Sequence, residues 1–211
     1  MRNVRILFFD MGCTLADETP ALKERCRLTA ETEGARKLGV TAEDVMRAME
    51  DAAARRLHPY RTALAALGLT EAIPYRSELD EMDKDAPRIL RALKDRYTLG
   101  VIANQQKGLR DRLTKMGILD FFSIVISSED YPFSKPDPRL FEAALAAAHV
   151  KPHEAVMIGD RIDNDIIPAR ALGMRTVRLK SGLCAGQTAQ TPDETPDIEI
   201  TRLIDVLNIF M

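Results

Sequence analysis

What this chain has little of narrows the field first. It has three cysteines, Cys13, Cys26 and Cys184, an odd number at no metal-like spacing, which argues against a disulfide framework and for reduced thiols in a cytoplasmic protein. It has no surplus of positive charge. Thirty Lys and Arg stand against 32 Asp and Glu, a formal net charge of −2, and the signs are well mixed, so neither a nucleic-acid face nor a membrane-binding face is expected. No apolar window approaches the ~20 residues of a membrane span, and the apolar stretch before Asp10 is too short for a secretory leader. Internal repeats are also missing. At 211 residues the chain has room for one domain and a modest insertion around a sizeable core.

Two strand-length apolar runs end in carboxylates. Ile6-Leu7-Phe8-Phe9 is followed by Asp10 and a turn containing Gly12, and Val156-Met157-Ile158-Gly159 is followed by Asp160, with Asp163 and Asp165 close behind. In α/β sheets the carboxyl ends of buried parallel strands open onto the ligand crevice. Two such ends can bring several acidic oxygens together, an arrangement that invites a divalent cation. Each acid also has a plainer reading. Asp10 alone is a fair turn former, and Asp163 and Asp165 suit a helix start, where the dipole favours acids.

Between these runs the patterning changes. From Pro20 to about Arg56 it is helical, with Pro20 suited to a first turn and Thr41-Ala42-Glu43-Asp44 to an N-cap. A shorter helix around Thr62 to Ala66 stops at Gly68. From Leu99 onward strands and helices alternate: strands over Leu99–Ala103, Phe122–Ile126, Ala155–Ile158 and Thr176–Leu179, and helices over Leu109–Met116, Pro138–Ala148 and Asp165–Leu172. Residues 181–197 read as a loop and Leu203–Phe210 as a last helix. The predicted fold class is therefore α/β, a doubly wound parallel, Rossmann-like sheet core over residues 1–17 and 88–211. A small all-helical cap over residues 18–87 interrupts it, an insertion of roughly seventy residues, far longer than an ordinary connection.

The order and spacing of four short motifs resemble the haloacid dehalogenase superfamily of phosphatases and related hydrolases, across nearly the whole chain. Asp10-Met11-Gly12-Cys13-Thr14-Leu15 resembles the first motif, Asp-x-Asp-x-Thr-Leu. Gly100-Val101-Ile102-Ala103-Asn104 resembles the second, Ser134-Lys135-Pro136 the third, and Gly159-Asp160-Arg161-Ile162-Asp163-Asn164-Asp165 the fourth. The resemblance implies Asp10 as nucleophile and Lys135 as the cation that neutralises nucleophile and phosphate. It implies Thr14, Asn104 and Lys135 as substrate contacts, and Mg2+ held by Asp10, the Gly12 carbonyl, Asp160 and Asp165, with Asp165 favoured over Asp163. Magnesium prefers such oxygen ligands, and a carboxylate nucleophile splits one hard displacement into two through an aspartyl-phosphate. The implied partner is a small-molecule phosphate ester.

Two positions depart from the motifs. Gly12 stands where the family has a second Asp, a general acid–base worth typically ~10²–10⁴-fold, and Ala103 stands where it has a hydroxyl, a donor whose loss elsewhere costs on the order of 10²–10³-fold. Slow turnover, or a binding or regulatory protein with weak or no turnover, is therefore an open alternative. So is a metal-free 2-haloacid dehalogenase, though that chemistry has little use for the Gly159-Asp160 segment. Thr14 is expected to hold its turn through its hydroxyl, with a phosphate contact second, and Cys13 to be a small turn residue. His58, Tyr60 and Arg61, in a polar break between helices, are candidates for substrate contact or for plain surface placement.

Overall fold

The computed structural model describes residues 3–105 and 108–211. These divide into two compact units, one of residues 3–16, 82–181 and 189–211 (leaving aside 106 and 107), the other of residues 17–81 and 182–188.

The first strand, β1 (Ile6–Phe9), is buried along its whole length. A continuous apolar run fits only a strand covered on both faces, so β1 belongs in the middle of a parallel sheet. After it come two-residue strands β2 (Ala16–Asp17) and β3 (Glu81–Met82), which form a separate two-stranded sheet, with Ala16 also bridging to Gly12. The main sheet is completed by β4 (Thr98–Ala103), β5 (Ile124–Ser127), β6 (Ala155–Gly159), β7 (Arg175–Leu179) and β8 (Ile198–Ile200), in the order β5-β4-β1-β6-β7-β8. Every pairing is parallel, with Phe9 opposite Val101 on one side and Ile158 on the other. The order reverses at β1, so the chain has a switch point beside its first strand, where ligands bind in open α/β sheets.

The helices of the first unit are α5 (Ala86–Leu93), α6 (Leu109–Lys115), α7 (Pro138–Ala148), α8 (Ile167–Ala171) and α9 (Val206–Phe210), and those of the second are α1 (Thr19–Ala30), α2 (Glu33–Leu38), α3 (Ala42–Ala54) and α4 (Pro59–Ala66). Alternation along the strands sends Leu7, Phe9, Val101 and Ile158 into one apolar layer with α5, α6 and α9, and Ile6, Phe8, Ile102 and Met157 into the other with α7 and α8.

The doubly wound parallel architecture is as the patterning predicts. Strand β8, three residues long, lies between the loop expected over 181–197 and the expected last helix, where no strand is expected. One helix is expected from Asp165 to Leu172, where the chain first makes a wide π turn over Ile162–Ile166 and only then α8. Local signals in the helical unit behave as expected. Pro20 lies in the first turn of α1, and α3 opens on a capping box in which Thr41 Oγ1 accepts from Asp44 N and the Asp44 carboxylate accepts from Thr41 N. This unit has its own core of Leu22, Cys26, Val45, Met49, Tyr60 and Leu64. Residues 182–188 belong to it as well: Leu183 packs on that core, buried Gln187 donates from Nε2 to Ala53 O at 3.0 Å, and Arg56 donates to Thr188 O at 2.9 Å.

Candidate active site

The polar residues singled out in the four motifs lie in the sheet unit, at or just beyond the carboxyl ends of β1, β4 and β6 and in the loop after β5. Asp10 is the first residue beyond β1, and its N–H continues the ladder by donating to Ile158 O at 2.8 Å. Its carboxylate is therefore fixed at the root. Lys135, 125 positions along the chain, reaches it: Nζ donates to Asp10 Oδ1 and to Asp165 Oδ1, each at 2.6 Å. Asp160 completes the group, offering an oxygen within 4.8 Å of those of Asp10 and Asp165. Exposure is 8% for Asp10, 4% for Lys135, 3% for Asp160 and nil for Asp165, so their charges interact with little screening by water.

Each member is held by specific neighbours. The Asp165 carboxylate also accepts from Arg161 N through Oδ2 at 3.0 Å. It occupies the room left by a missing side chain: a Cβ on Gly159 would lie 2.5 Å from the Asp165 Cγ and Oδ2. Gly159 is thus required for packing rather than for a turn. Asn104 clamps the lysine's backbone at both polar ends, accepting from Lys135 N and donating to Lys135 O, both at 2.8 Å. The sequence reading gave Asn104 only a substrate contact and missed this brace, which joins residues 31 apart. Burial pushes the Asp165 carboxyl up to about 6, against the pull of Lys135 and with the repulsion of Asp10. Burial alone would lower the Lys135 ammonium, but the two carboxylates hold it above its ordinary value. It stays a cation.

The expectations for Thr14 and Tyr60 are corrected, while Cys13 in its turn and Asp163 outside the cluster are as expected. Thr14 is 2% exposed and its Oγ1 has no hydrogen-bond partner among the described residues; the turn is held instead by Leu15 N and Ala16 N, both donating to Met11 O. Cys13 takes the left-handed conformation in that turn, at φ 51°, and its carbonyl accepts from Ser181 Oγ. Asp163 stays out of the cluster, paired with Arg161 at 2.5 Å. Tyr60 is neither on the surface nor open to a ligand: it is buried, its hydroxyl bonded to Thr29 Oγ1 at 2.8 Å and to Ile73 N at 2.9 Å. His58 caps α4, accepting from Arg61 N at Nδ1. Ala103 packs as an apolar residue in the sheet's core. One charged residue escaped the sequence reading altogether. Arg178, on β7, is 1% exposed and lies next to the Asp160 backbone; the signal was a lone Arg inside Thr176-Val177-Arg178-Leu179.

The family model for haloacid dehalogenase-like hydrolases matches residues 7–179, a span that contains all four motifs and the cluster they build. The chain belongs to this family. This hydrolase is 28% identical to the glyceraldehyde 3-phosphate phosphatase of Pyrococcus furiosus over 228 aligned positions, covering 99% of this chain and 94% of that relative. With the glyceraldehyde 3-phosphate phosphatase of Methanopyrus kandleri the identity is 39%, but over 99 residues, 47% of this chain and 42% of the relative. The chain thus aligns with less than half the length of that second relative. Among solved structures, a 2-haloacid dehalogenase from Pseudomonas syringae superposes with a TM-score of 0.63 at 26% identity, covering 98% of this chain and 97% of that one.

Proposed function

We propose that this hydrolase is a magnesium-dependent phosphatase of a small phosphorylated metabolite, with Asp10 as the nucleophile. The observation that carries the reading is the buried contact of Lys135 with Asp10 and Asp165, with Asp160 beside them. Three carboxylates gather around the Lys135 ammonium, with the Arg178 guanidinium on the far side of the Asp160 backbone, so acids outnumber bases at a buried site. An excess of buried charge of one sign is costly, and hard, closely grouped oxygens are the donor set magnesium selects. The residues present fit the ion: Asp10, Asp160, Asp165 and the Gly12 carbonyl are assigned to hold it. When bound, it supplies the positive charge that lets a phosphate dianion approach a carboxylate.

The chain's own residues do the rest. Lys135 holds one Asp10 oxygen and leaves the other to attack phosphorus. The new Asp10–phosphorus bond replaces the ester P–O bond, and the alcohol departs and takes its proton from solvent because Gly12 carries no acid. Water then cleaves the aspartyl-phosphate to release phosphate and free Asp10. The Lys135 ammonium, already held against Asp10, is assigned to the charge that builds on the transferring phosphoryl group, where a preorganised donor needs little reorganisation. Asn104 keeps the lysine's backbone from swinging away. Thr14 Oγ1, buried and without a partner among the described residues, is assigned to the phosphate. The helical unit, read as a cap, is assigned the choice of substrate. The thiols of Cys13, Cys26 and Cys184, none of them in a disulfide among the described residues, suit the reducing cytoplasm proposed for the protein, and no helix among the described residues is long and apolar enough to cross a membrane.

Phosphate release from a panel of phosphate esters, with and without Mg2+, tests this. The expected result is magnesium-dependent release that Asp10→Asn abolishes; release no greater than that of Asp10→Asn refutes it. A second reading, binding with little turnover, is favoured by Gly12 and Ala103. Ligand binding without phosphate release under the same conditions would establish it. Chloride release from a 2-halo-acid without metal would instead make the protein a dehalogenase.

A further inference from the structure

Arg178 is the largest fully buried side chain among the described residues. A guanidinium inside a parallel sheet is expensive unless hydrogen bonds and opposite charge offset its desolvation, and an apolar residue there would fill the strand at lower cost. Its register explains what it does instead. Arg178 pairs with Gly159 on β6 and with Glu199 on β8, so it sits between the acidic segment and the outermost strand. Its Nη1 donates to Glu199 Oε1 at 2.9 Å and its Nε to the carbonyl oxygen of Asp160 at 3.4 Å. Glu199 is 43% exposed at its side chain, so it braces the arginine from the solvent side.

We propose that Arg178 is a positioning residue for the cation site: braced by Glu199, it fixes the Asp160 peptide and so fixes where the Asp160 carboxylate points. The inference rests on the metal reading above. Two effects of the arginine compete, and they have opposite signs. Its positive charge, close to the acids, repels a cation. Its hold on Asp160 organises a ligand for one. Partners that orient a metal ligand typically contribute ~10–100-fold in affinity, and Arg178 grips the ligand's backbone rather than its carboxylate, so the low end applies.

The sign of the change in magnesium affinity decides the matter. Isothermal titration with MgCl2, on the full chain without substrate, compares wild type with Arg178→Met, Arg178→Lys and Glu199→Gln. Arg178→Met is expected to weaken binding about tenfold. Arg178→Lys, which keeps the charge and loses the planar fork, is expected to weaken it as well, and Glu199→Gln by a smaller factor. A merely structural arginine would lower the melting temperature and leave the affinity of the folded protein unchanged. Unchanged or tighter binding in Arg178→Met and Arg178→Lys overturns the inference, as does unchanged binding in Glu199→Gln should neither arginine variant fold. A folded wild type that binds no Mg2+ overturns the metal reading, and the inference with it.

Discussion

Replacing Gly159 by alanine adds one methyl group at the point where the site is tightest. That carbon would lie 2.5 Å from the Asp165 Cγ and Oδ2 and 2.7 Å from its Cβ. The neighbour cannot yield cheaply, because Asp165 is fully buried and tied to Lys135 Nζ at 2.6 Å and Arg161 N at 3.0 Å. Forcing an extra carbon into such packing typically costs about 1–3 kcal/mol. At about 2–4 °C per kcal/mol for a chain of this size, the melting temperature should fall by about 2–12 °C. Scanning calorimetry in the absence of metal measures it. Gly186→Ala serves as the control: its added Cβ meets nothing within 4 Å, and such surface changes stay within about ±0.5 kcal/mol. A double-mutant cycle isolates the contact. In an Asp165→Gly background all three close contacts disappear, so the alanine penalty should shrink below about 0.5 kcal/mol. An unchanged melting temperature in Gly159→Ala, or the same penalty in both backgrounds, would refute the claim that Gly159 exists to seat Asp165.

Lys135→Met leaves Asp10 and Asp165 facing each other without their shared cation, and phosphatase turnover should drop by on the order of 10²–10³-fold; steady-state rates within tenfold of wild type would contradict the role given to the ammonium. In metal-free protein the folded Asp165 carboxyl, at about 6 rather than the ordinary 3.8, holds its proton more tightly than the unfolded chain does. This group should therefore add stability as pH falls from above 6 towards 3.8; melting curves in a chelator should show that rise in wild type and lose part of it in Asp165→Asn. Gly12→Asp supplies the missing acid and should speed alkyl phosphate hydrolysis more than aryl phosphate hydrolysis, by up to ~10²–10⁴-fold. Parallel assays on the two substrate classes, with and without the added change Ala103→Thr, check this, and equal or absent gains would mean that the acid is not what limits turnover.

The middle of the sheet was legible because Ile6–Phe9 and Val156–Gly159 are apolar on both faces and each is followed by a carboxylate, so they declare themselves with no tertiary information. Asp10, Lys135, Asp160 and Asp165 were legible as types at motif positions, and the structure brings all four together. What could not be read was anything set by contacts between distant segments. The Asn104 clamp on Lys135 depends on how two loops meet, 31 residues apart. Arg178 gave no signal of its burial, since it is flanked by β8, a strand only three residues long whose Glu199 stands opposite it. Thr14 illustrates the converse error. Hydroxyls in turns usually bond nearby backbone, but here the backbone holds the turn by itself and the hydroxyl is left over.

The membership of residues 182–188 in the helical unit bears on how such modules can be exchanged. A graft that swaps only residues 17–81 for the counterpart from another hydrolase would strip Gln187 of its carbonyl on Ala53 and Leu183 of its apolar bed. The stranded heptapeptide would carry wetted leucine and cysteine side chains, the raw material of self-association. Chimeras meant to transplant substrate preference should therefore import two segments of donor sequence, and libraries aimed at new specificity should diversify both together.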